Sequence, residues 1–491
     1  MEPLPDTNGN LMNPNDMQTH SAFNPVTPEL AAELAGIVGE GFVIYDDPEK
    51  LEPYSHDEIP GTDYRHMPEA LVRPRTAEEI AAVMKLANRQ HVPVTPRGAG
   101  SGLSGGAVPA CGGIVLLCDR MNEILEVDEQ NMVVVVEPGV VTSEINEVLE
   151  PKGLFYAGYP MSLETCYIGG NVAENAGGGK AVKYGVTGRY VLGIEMVTPT
   201  GEIVELGGKL IKDVTGYNMV GLMVGSEGTL GIFTKITLKL LPLPKANVDL
   251  LVLFASAAEA IAAVPKVIAG SGVIPTAVEF MDRSAFESAC EYLNETIPYR
   301  QAGAMLLLTL DGPDQTQVQN EYEAVGEMCL QAGAIEVYVA DNPTTSERVW
   351  KVRRNIGESF NVYSSHQSGE DVVVPPAAIP QMVERLGELA GRYGVKIPIF
   401  GHAGDGNLHA RIVMDPSWDL DRWNRTLPEI LEQLYATTAE LGGRISGEHG
   451  IGWKRKKYMS RVVAPEYLAM LKAVKKAMDP NGVLNPGKIF D

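Results

Sequence analysis

The feature that most constrains the fold is a glycine-rich segment, PVTPRGAGSGLSGGAVP at residues 93–109, which lies between two strand-like runs. Its spacing satisfies G-x-G-x-x-G at Gly100, Gly102 and Gly105. Asp119 also stands near the distance at which a dinucleotide-binding βαβ unit places its ribose carboxylate. That unit needs a crossover helix of about ten residues directly after the glycines. Proline and glycine residues between 109 and 113 leave no room for this helix before the run IVLLC. We therefore expect an extended loop whose backbone N–H groups bind an anion.

Two further glycine segments follow, IGGNVAENAGGGKAVKYG at residues 168–185 and GSEGTLGI at residues 225–232. The alternative interpretation of the first segment is a flexible turn. A merely flexible turn is disfavoured because the glycine loop within this segment follows a strand and begins with Arg97. Three such loops supply enough backbone to hold a long dinucleotide, and we expect diphosphate binding.

Composition excludes several classes of partner. The 63 acidic and 40 basic residues give a formal net charge of −23, which repels nucleic-acid phosphates and anionic lipids. No apolar run approaches the roughly 20 residues of a membrane-spanning helix, and the start MEPLPDTNGN does not resemble a signal peptide. We expect a cytoplasmic protein with no nucleic-acid partner and no transmembrane segment. The five cysteines are too widely spaced for C-x-x-C, which predicts reduced core residues and no iron–sulfur ligands.

The pattern along the chain predicts a tail, two α/β regions and a final segment. Residues 1–24 lack periodicity and are predicted to be disordered. From Glu69 the runs LVRP, AEEIAAVMKLANRQ and VPVTP predict a strand, a helix and a strand. The run LPLPKAN near residue 243 marks a boundary. The predicted ranges are 25–245, 246–440 and 441–491.

The segment IPIFGHAGDGNLHARIVMD predicts a β-hairpin, because Asp405-Gly406 between apolar runs favours a two-residue turn. That turn would place His402 opposite His409, with Cβ atoms about 5 Å apart on one face. Two imidazoles in this arrangement can share a metal ion. The alternative is a chance histidine pair packed in a sheet.

A third histidine follows a carboxylate in ISGEHGIGWKRKKYM. The surrounding glycines predict a tight loop, which can direct Glu448 and His449 into one cavity. Glu448 added to two histidines makes a three-ligand metal site with an open position, and His449 is then available as a base. The alternative is a solvated surface turn. We expect the basic run from Lys454 to Lys457 to be a solvated face without a functional role.

The motifs PRGAGSGLSGGAVP, EPGV, IGGNVAENAGG with KYG, and GSEGTLGI resemble the FAD-binding domain of the vanillyl-alcohol oxidase superfamily. The chain is most similar to the glycolate oxidase and D-lactate dehydrogenase branch, the D-2-hydroxy acid dehydrogenases, from about residue 45 to the C-terminus. That branch also carries G-H-x-G-D-G-N-x-H and G-E-H-G-I-G, both matched in full. The resemblance implies an α+β fold with a two-subdomain FAD-binding domain at 25–245 and a substrate (cap) domain at 246–440. Residues 441–491 return to complete the active site.

The resemblance implies which residues bind FAD. The pyrophosphate is expected on Arg97 to Gly102, with further residues lining the flavin and adenine. The full expected set is Arg97, Gly98, Ala99, Gly100, Ser101, Gly102, Gly169, Gly170, Asn171, Gly228 and Ile232. Some members attach FAD covalently through a histidine near the position of Ser101, so we expect non-covalent FAD here.

The resemblance also implies the chemistry. The expected ligands of a divalent metal (Zn, Fe or Mn) are His402, His409 and Glu448, and His449 is expected to take the hydroxyl proton. The family motif W-x-x-R matches Trp350 to Arg353, which makes Arg353 the expected partner of the substrate carboxylate. Asn407 completes the expected catalytic residues. The implied reaction is oxidation of a small D-2-hydroxy acid, such as D-lactate or glycolate, to the 2-keto acid.

Because no iron–sulfur motif is present, the resemblance implies that the electrons pass to an electron-transferring flavoprotein or an iron–sulfur subunit. Two alternatives stay open. One is a non-redox FAD enzyme such as alkylglycerone phosphate synthase, and the other is a non-catalytic electron-relay flavoprotein subunit. The two histidine motifs and Arg353 argue against both.

Overall fold

A computed structural model of the protein describes residues 23–490, except residues 62, 298, 299 and 365. The predicted tail at residues 1–24 lies outside the described residues apart from its last two positions. Three sheets of four, five and seven strands carry the fold, together with a two-stranded pair. This mixed arrangement confirms the predicted α+β class.

The first sheet has the order β1-β2-β4-β3. Its strands are β1 Val43–Tyr45, β2 Ala70–Val72, β3 Val94–Arg97 and β4 Ile114–Leu117, with helices α1 Pro28–Val38, α2 Pro48–Leu51 and α3 Ala77–Gln90. Helix α3 begins where the Thr76 hydroxyl accepts a hydrogen bond from the Glu79 N–H, and its apolar stripe packs into the core. Strands β2 and β3 both pair with β4 in parallel, so the predicted strand–helix–strand unit is confirmed.

The glycine segment between β3 and β4 is an extended loop. Residues 98–113 contain neither helix nor strand, although the two flanking strands are parallel neighbours. The structure therefore confirms the prediction that the G-x-G-x-x-G sequence does not begin a crossover helix.

The second sheet is antiparallel, in the order β5-β6-β10-β8-β9. Its strands are β5 Ile124–Asp128, β6 Val133–Val136, β8 Val191–Val197, β9 Ile203–Gly207 and β10 Ile232–Lys239, and β7 Leu154–Phe155 pairs with β11 Leu241–Pro242. The helices are α4 Thr142–Leu149, α5 Ile168–Glu174, α6 Ala181–Tyr184 and α7 Met219–Met223. Reading the second glycine segment wholly as loop was wrong, because α5 contains Gly169 and Gly170 and ends at Asn175 in the left-handed conformation.

The third sheet, in the order β15-β12-β14-β13-β17-β18-β16, lies within the predicted range 246–440. Its strands are β12 Ala246–Phe254, β13 Ala277–Asp282, β14 Ala304–Gly312, β15 Glu336–Ala340, β16 Gln367–Val373, β17 Ile399–His402 and β18 Asn407–Val413. Alternate residues of β12 point to opposite cores, Leu250 and Val252 to one and Leu251 and Leu253 to the other. Helices therefore cover both faces of this sheet.

The first core lies under α8 Ala257–Ser271, α10 Gln315–Gln331, α13 Ile379–Tyr393 and α14 Leu420–Glu440, and the second under α9 Arg283–Leu293, α11 Pro343–Arg354 and α12 Ile356–Ser359. All five cysteines are buried and outside disulfides, as predicted. In the described part of the chain, every helix is too short or too polar to cross a bilayer.

The C-terminal residues pair with strands of the first and the third sheet. They include α15 Met459–Val462 and α16 Pro465–Met478. Ser446 forms a parallel β-bridge with Asp371 of β16, and Leu484 forms one with Val94 of β3. The C-terminal residues therefore connect the first sheet to the third sheet.

The hairpin exists, but its predicted register was wrong. His402 pairs with Asn407 and Phe400 pairs with His409, so four residues form the turn instead of two. The wider turn moves the register by two residues, and side chains alternate with a period of two. Both histidines therefore stay on one face as diagonal neighbours, with ring centroids 5.4 Å apart.

Candidate active site

A cavity of about 400 Å³ joins the glycine loops to the third sheet. Every residue predicted to bind the cofactor, from Arg97 to Ile232, lines it. The same wall contains five of the other predicted site residues, namely Arg353, His402, His409, Glu448 and His449. Segments separated by several hundred residues thus meet at one site.

The Arg97 side chain supports the glycine loop through hydrogen bonds. Its buried guanidinium donates to the carbonyl groups of Ala107 at 3.3 Å and Pro53 at 3.4 Å. A Cβ atom on Gly100 would lie 2.1 Å from Arg97 Nη2, and the φ angle of this glycine is +77°. Position 100 therefore requires glycine for two independent reasons.

The nitrogen atoms of three imidazoles converge on one oxygen of Glu448. His402 Nε2 lies 3.3 Å, His409 Nε2 3.4 Å and His449 Nε2 4.0 Å from Glu448 Oε1. The His409 and His449 rings are stacked, with centroids 5.2 Å apart and planes 9° apart. This arrangement brings a carboxylate and three imidazoles to the wall of the cavity.

Glu279 of β13 connects a metal-ligand candidate to the predicted carboxylate-binding arginine. Its Oε1 lies 2.5 Å from His402 Nδ1, and its Oε2 accepts from Arg353 Nε at 2.7 Å and lies 2.6 Å from Arg353 Nη2. Glu279 is fully buried and Arg353 is 5% exposed. The charge of Arg353 is therefore already balanced inside the protein.

Asp371 of β16 holds the loop that carries Glu448 and His449. Its Oδ2 accepts from the N–H groups of residues 447, 448 and 449 at 3.0, 2.9 and 2.8 Å, and from the Ser446 hydroxyl at 2.7 Å. Its Oδ1 accepts from Asn407 Nδ2 at 2.7 Å. This carboxylate is fully buried, and it fixes the direction of the neighbouring side chains.

Burial and neighbouring charges shift the pKa values of three titratable groups near Glu448 Oε1 in different directions. Burial alone would lower the pKa of His402, but Glu279 and Glu448 raise that pKa well above its usual value. Burial would raise the pKa of Glu448, but His402 and His409 hold it well below its usual range. Burial lowers the pKa of His449 to about 4. His449 is therefore neutral at physiological pH and can accept a proton.

The donor set fits a divalent cation. Imidazole nitrogens with one carboxylate oxygen are the ligands that Zn, Fe and Mn accept in catalytic sites, and a cation there would replace the proton on His402. A second possible group consists of Asp371, His409, Glu448 and His449, with one ligand atom from each lying within 4.8 Å of the others. We favour the set with His402 because both oxygens of Asp371 already accept hydrogen bonds.

The loop at the other end of the cavity fits a diphosphate. The N–H groups of residues 99–102 have no acceptor among the residues that the structure describes. A Cβ atom on Gly170 would meet no atom within 4 Å, so this glycine leaves open space. Unpaired N–H groups in a glycine loop bind phosphate oxygens, and the loop can therefore hold the pyrophosphate of FAD.

Comparison with known proteins agrees with this geometry. The description "FAD binding domain" matches residues 68–207, and "FAD linked oxidases, C-terminal domain" matches residues 243–489. The chain belongs to the FAD-linked oxidases. It is thus an FAD-dependent oxidoreductase, and its resemblance to the vanillyl-alcohol oxidase superfamily is confirmed.

Relatives of this FAD-linked oxidase match over nearly their whole length. The glycolate oxidase subunit GlcD of Bacillus subtilis (strain 168) is 39% identical, over 89% of this chain and 92% of that protein. The D-lactate dehydrogenase of Anaerostipes hadrus is 38% identical, over 95% of this chain and 98% of that protein. These two names confirm the branch predicted from the sequence motifs.

Solved structures with lower identity share the fold of this FAD-linked oxidase. A p-cresol methylhydroxylase superposes with a TM-score of 0.76 over 99% of both chains at 18% identity. An alkyldihydroxyacetonephosphate synthase superposes with a TM-score of 0.74 over 95% of this chain and 88% of that one, at 20% identity. They confirm the predicted fold class.

Two of the expected catalytic residues, Asn407 and Arg353, are hydrogen-bonded to buried carboxylates. Asn407 is buried behind the wall, where its amide donates to Asp371 and to the Val372 carbonyl. Arg353 lines the cavity of the FAD-linked oxidase but is bonded to Glu279. We therefore describe Asn407 as a positioning residue and keep Arg353 as a predicted substrate contact.

The expectation that residues 454–457 form a solvated face was wrong. Lys454 is 5% exposed and Arg455 is fully buried, and only Lys457 is exposed. Lys454 Nζ lies 2.9 Å from Glu370 Oε1, and Arg455 Nε lies 3.6 Å from Glu370 Oε2. Burial lowers the pKa of Lys454 to about 8. The buried carboxylate of Glu370 on β16, far away in the sequence, compensates these charges.

Sequence reasoning missed the acids that organise the site, namely Glu279, Glu370 and Asp371. Each lies in an otherwise apolar or buried strand, in AVEFMD and SGEDVV. An acid in such a run is a signal, because a charge is rarely buried without a partner. The identity of the partner comes only from the fold of this FAD-linked oxidase.

Proposed function

We propose that the protein catalyses the FAD- and metal-dependent oxidation of a small D-2-hydroxy acid, such as D-lactate or glycolate, to the 2-keto acid. The observation that carries the proposal is the convergence of His402, His409 and His449 on Glu448 Oε1. This group opens into the cavity that the FAD-binding glycine loops line. The relatives named glycolate oxidase subunit and D-lactate dehydrogenase support the same substrate class.

Each site residue is assigned a role in the reaction. We assign divalent-metal binding to His402, His409 and Glu448, and proton removal from the α-hydroxyl group to the neutral imidazole of His449. Arg353 is assigned to the substrate carboxylate. FAD held by the glycine loops would supply the hydride acceptor, and a divalent cation on the three ligands would supply the acidity that weakens the O–H bond of the substrate. Loss of the hydroxyl proton to His449 and of the Cα hydride would convert the substrate into the 2-keto acid.

We propose that a separate protein reoxidises the flavin, either an electron-transferring flavoprotein or an iron–sulfur subunit. The sequence carries no cluster motif, and all five cysteines are buried. The net charge of −23 favours a partner with a basic docking face.

Anaerobic titration tests the proposed function directly. Purified, metal-loaded protein is mixed with D-lactate, glycolate or D-2-hydroxyglutarate, and flavin bleaching is followed in the visible spectrum. We expect bleaching by at least one of the small acids and none by the L enantiomer of lactate. A flavin that every acid leaves oxidised would contradict the proposal and favour the electron-relay or non-redox alternative.

FAD is predicted to be non-covalent because Ser101 occupies the position near which some relatives carry a linking histidine. Acid precipitation should release the yellow colour into the supernatant, where its absorbance accounts for all of the bound flavin. Flavin that stays with the precipitated polypeptide after washing would contradict the prediction.

A further inference from the structure

We propose that Arg411 is a further substrate-binding residue, which binds the carboxylate of the 2-hydroxy acid alongside Arg353. The inference rests on the proposed function, because it takes the cavity to be the hydroxy-acid site. It assigns recognition of the anionic substrate to a positive charge outside the metal-ligand candidates, His449 and Arg353.

The ion pairs at the substrate end of the cavity single out Arg411. Four cations line this part of the wall, namely Arg353, Arg354, Arg411 and Lys454. Arg353 is paired with Glu279, Lys454 with Glu370 and Arg354 with Glu347. Among the described residues no carboxylate lies within ion-pair distance of Arg411. Of these four cations, Arg411 is therefore the one without a carboxylate partner among the described residues.

Strand geometry places Arg411 on the same face as the metal-ligand candidate. Arg411 follows His409 by two residues in β18, and side chains two apart share a face. Leu408, Ala410 and Ile412 alternate with these two residues along the strand and belong to the apolar core on the opposite face. Two residues of strand span about 6.7 Å, so one small hydroxy acid can reach both side chains.

The space around the guanidinium is kept open by two glycines. Gly369 of β16 is the strand partner of Arg411. Cβ atoms on Gly357 and Gly369 would lie 3.2 and 3.7 Å from Arg411 Nη2. Side chains at these positions would occupy the space next to the guanidinium nitrogen that faces them. The wall thus leaves room for a small ligand beside the charge.

The hydrogen bonding of Arg411 is incomplete. Nη1 donates to Gln367 Oε1 at 3.0 Å, while Nε is buried without a hydrogen-bond partner. Burial lowers the pKa of Arg411, but a guanidinium stays protonated in proteins. A buried donor on a charged group that lacks a partner is costly. A carboxylate supplies the missing acceptors in the forked geometry that arginine favours.

Anaerobic stopped-flow reduction with D-lactate tests the inference, because it separates the substrate Kd from the limiting rate of flavin reduction. We expect Arg411→Gln to raise the Kd by about 10- to 100-fold, the loss typical of a hydrogen bond to a charged group. The limiting rate should change by less than about tenfold, since Arg411 takes no part in proton or hydride transfer. Arg411→Lys should raise the Kd by several fold, because an ammonium group lacks the fork.

Arg354→Gln is the matched control, since Arg354 also lines the cavity but is exposed and paired with Glu347. Its Kd should stay within about twofold of wild type. A wild-type Kd in both Arg411 variants would overturn the inference, as would a fall in the limiting rate alone. If Arg411→Gln does not fold or lacks FAD, the Kd of Arg411→Lys decides. A different result would contradict the proposed function, namely that no 2-hydroxy acid reduces the flavin of the wild-type protein.

Discussion

Replacing His449 with asparagine is expected to slow flavin reduction by D-lactate by about 10² to 10⁴-fold, the usual contribution of a general base. The His449 imidazole is neutral because burial lowers its pKa to about 4. Its Nε2 lies 4.0 Å from Glu448 Oε1, at the point where the other two imidazoles converge. Asparagine keeps a polar side chain but cannot accept the proton.

The substitution should leave the loop intact, because Asp371 Oδ2 accepts a hydrogen bond from the backbone N–H of residue 449, which asparagine keeps. FAD content, metal content and the D-lactate Kd are therefore expected to stay near wild type. The measurement is anaerobic stopped-flow reduction of both proteins at saturating substrate. His91→Asn is the control, since His91 has φ +51° at the end of α3, a conformation that asparagine tolerates. Reduction within a few-fold of wild type in His449→Asn would assign the base to another group.

Replacing either hairpin histidine with alanine is expected to remove the metal and lower turnover by about 100-fold or more. Loss of a residue that hydrogen-bonds to a metal ligand typically costs about 10- to 100-fold in metal affinity or activity. Loss of the ligand itself is expected to cost at least as much. His402 and His409 each place Nε2 within 3.4 Å of Glu448 Oε1. The flavin spectrum should not change, because β17 and β18 lie outside the glycine loops.

The measurement is elemental analysis of the dialysed proteins together with turnover using an artificial electron acceptor. His91→Asn again serves as the control and should retain wild-type metal content. Because His402 also bonds to Glu279, and through it to Arg353, His402→Ala is expected to weaken D-lactate binding more than His409→Ala does. Alanine variants with full metal occupancy would show that the histidine pair only supports the sheet.

Most of the fold could be predicted from local patterns. The helical spacing in AEEIAAVMKLANRQ and the apolar runs on either side determine a strand, a helix and a strand, and the structure has them. The absence of a helix after the first glycine segment followed from its prolines and glycines. The second glycine segment was different, because the core contacts of Ile168 and Val172 stabilise a short helix despite its two glycines. Tertiary packing can outweigh helix propensity in this way.

The site was predictable in its residues but not in its charge pairing. The hairpin histidines share a face in both the predicted and the observed register, because the error was an even number of residues. The ion pairs of Arg353 and Lys454 could not be predicted, since their partners Glu279 and Glu370 lie on strands far away in the sequence. Sequence spacing gives the face of a side chain, whereas ion pairing depends on which strands become neighbours.

The return of the C-terminal residues to β3 and β16 is expected to set when the enzyme becomes active during its synthesis. A nascent chain that ends near residue 440 contains every strand of the three sheets but neither Glu448 nor the residues that bridge to Val94. At about 5–20 residues per second, the ribosome adds the following roughly 50 residues in roughly 3–10 s. Until they emerge, Asp371 lacks its four loop donors. We therefore expect catalytic competence only once these residues have been added.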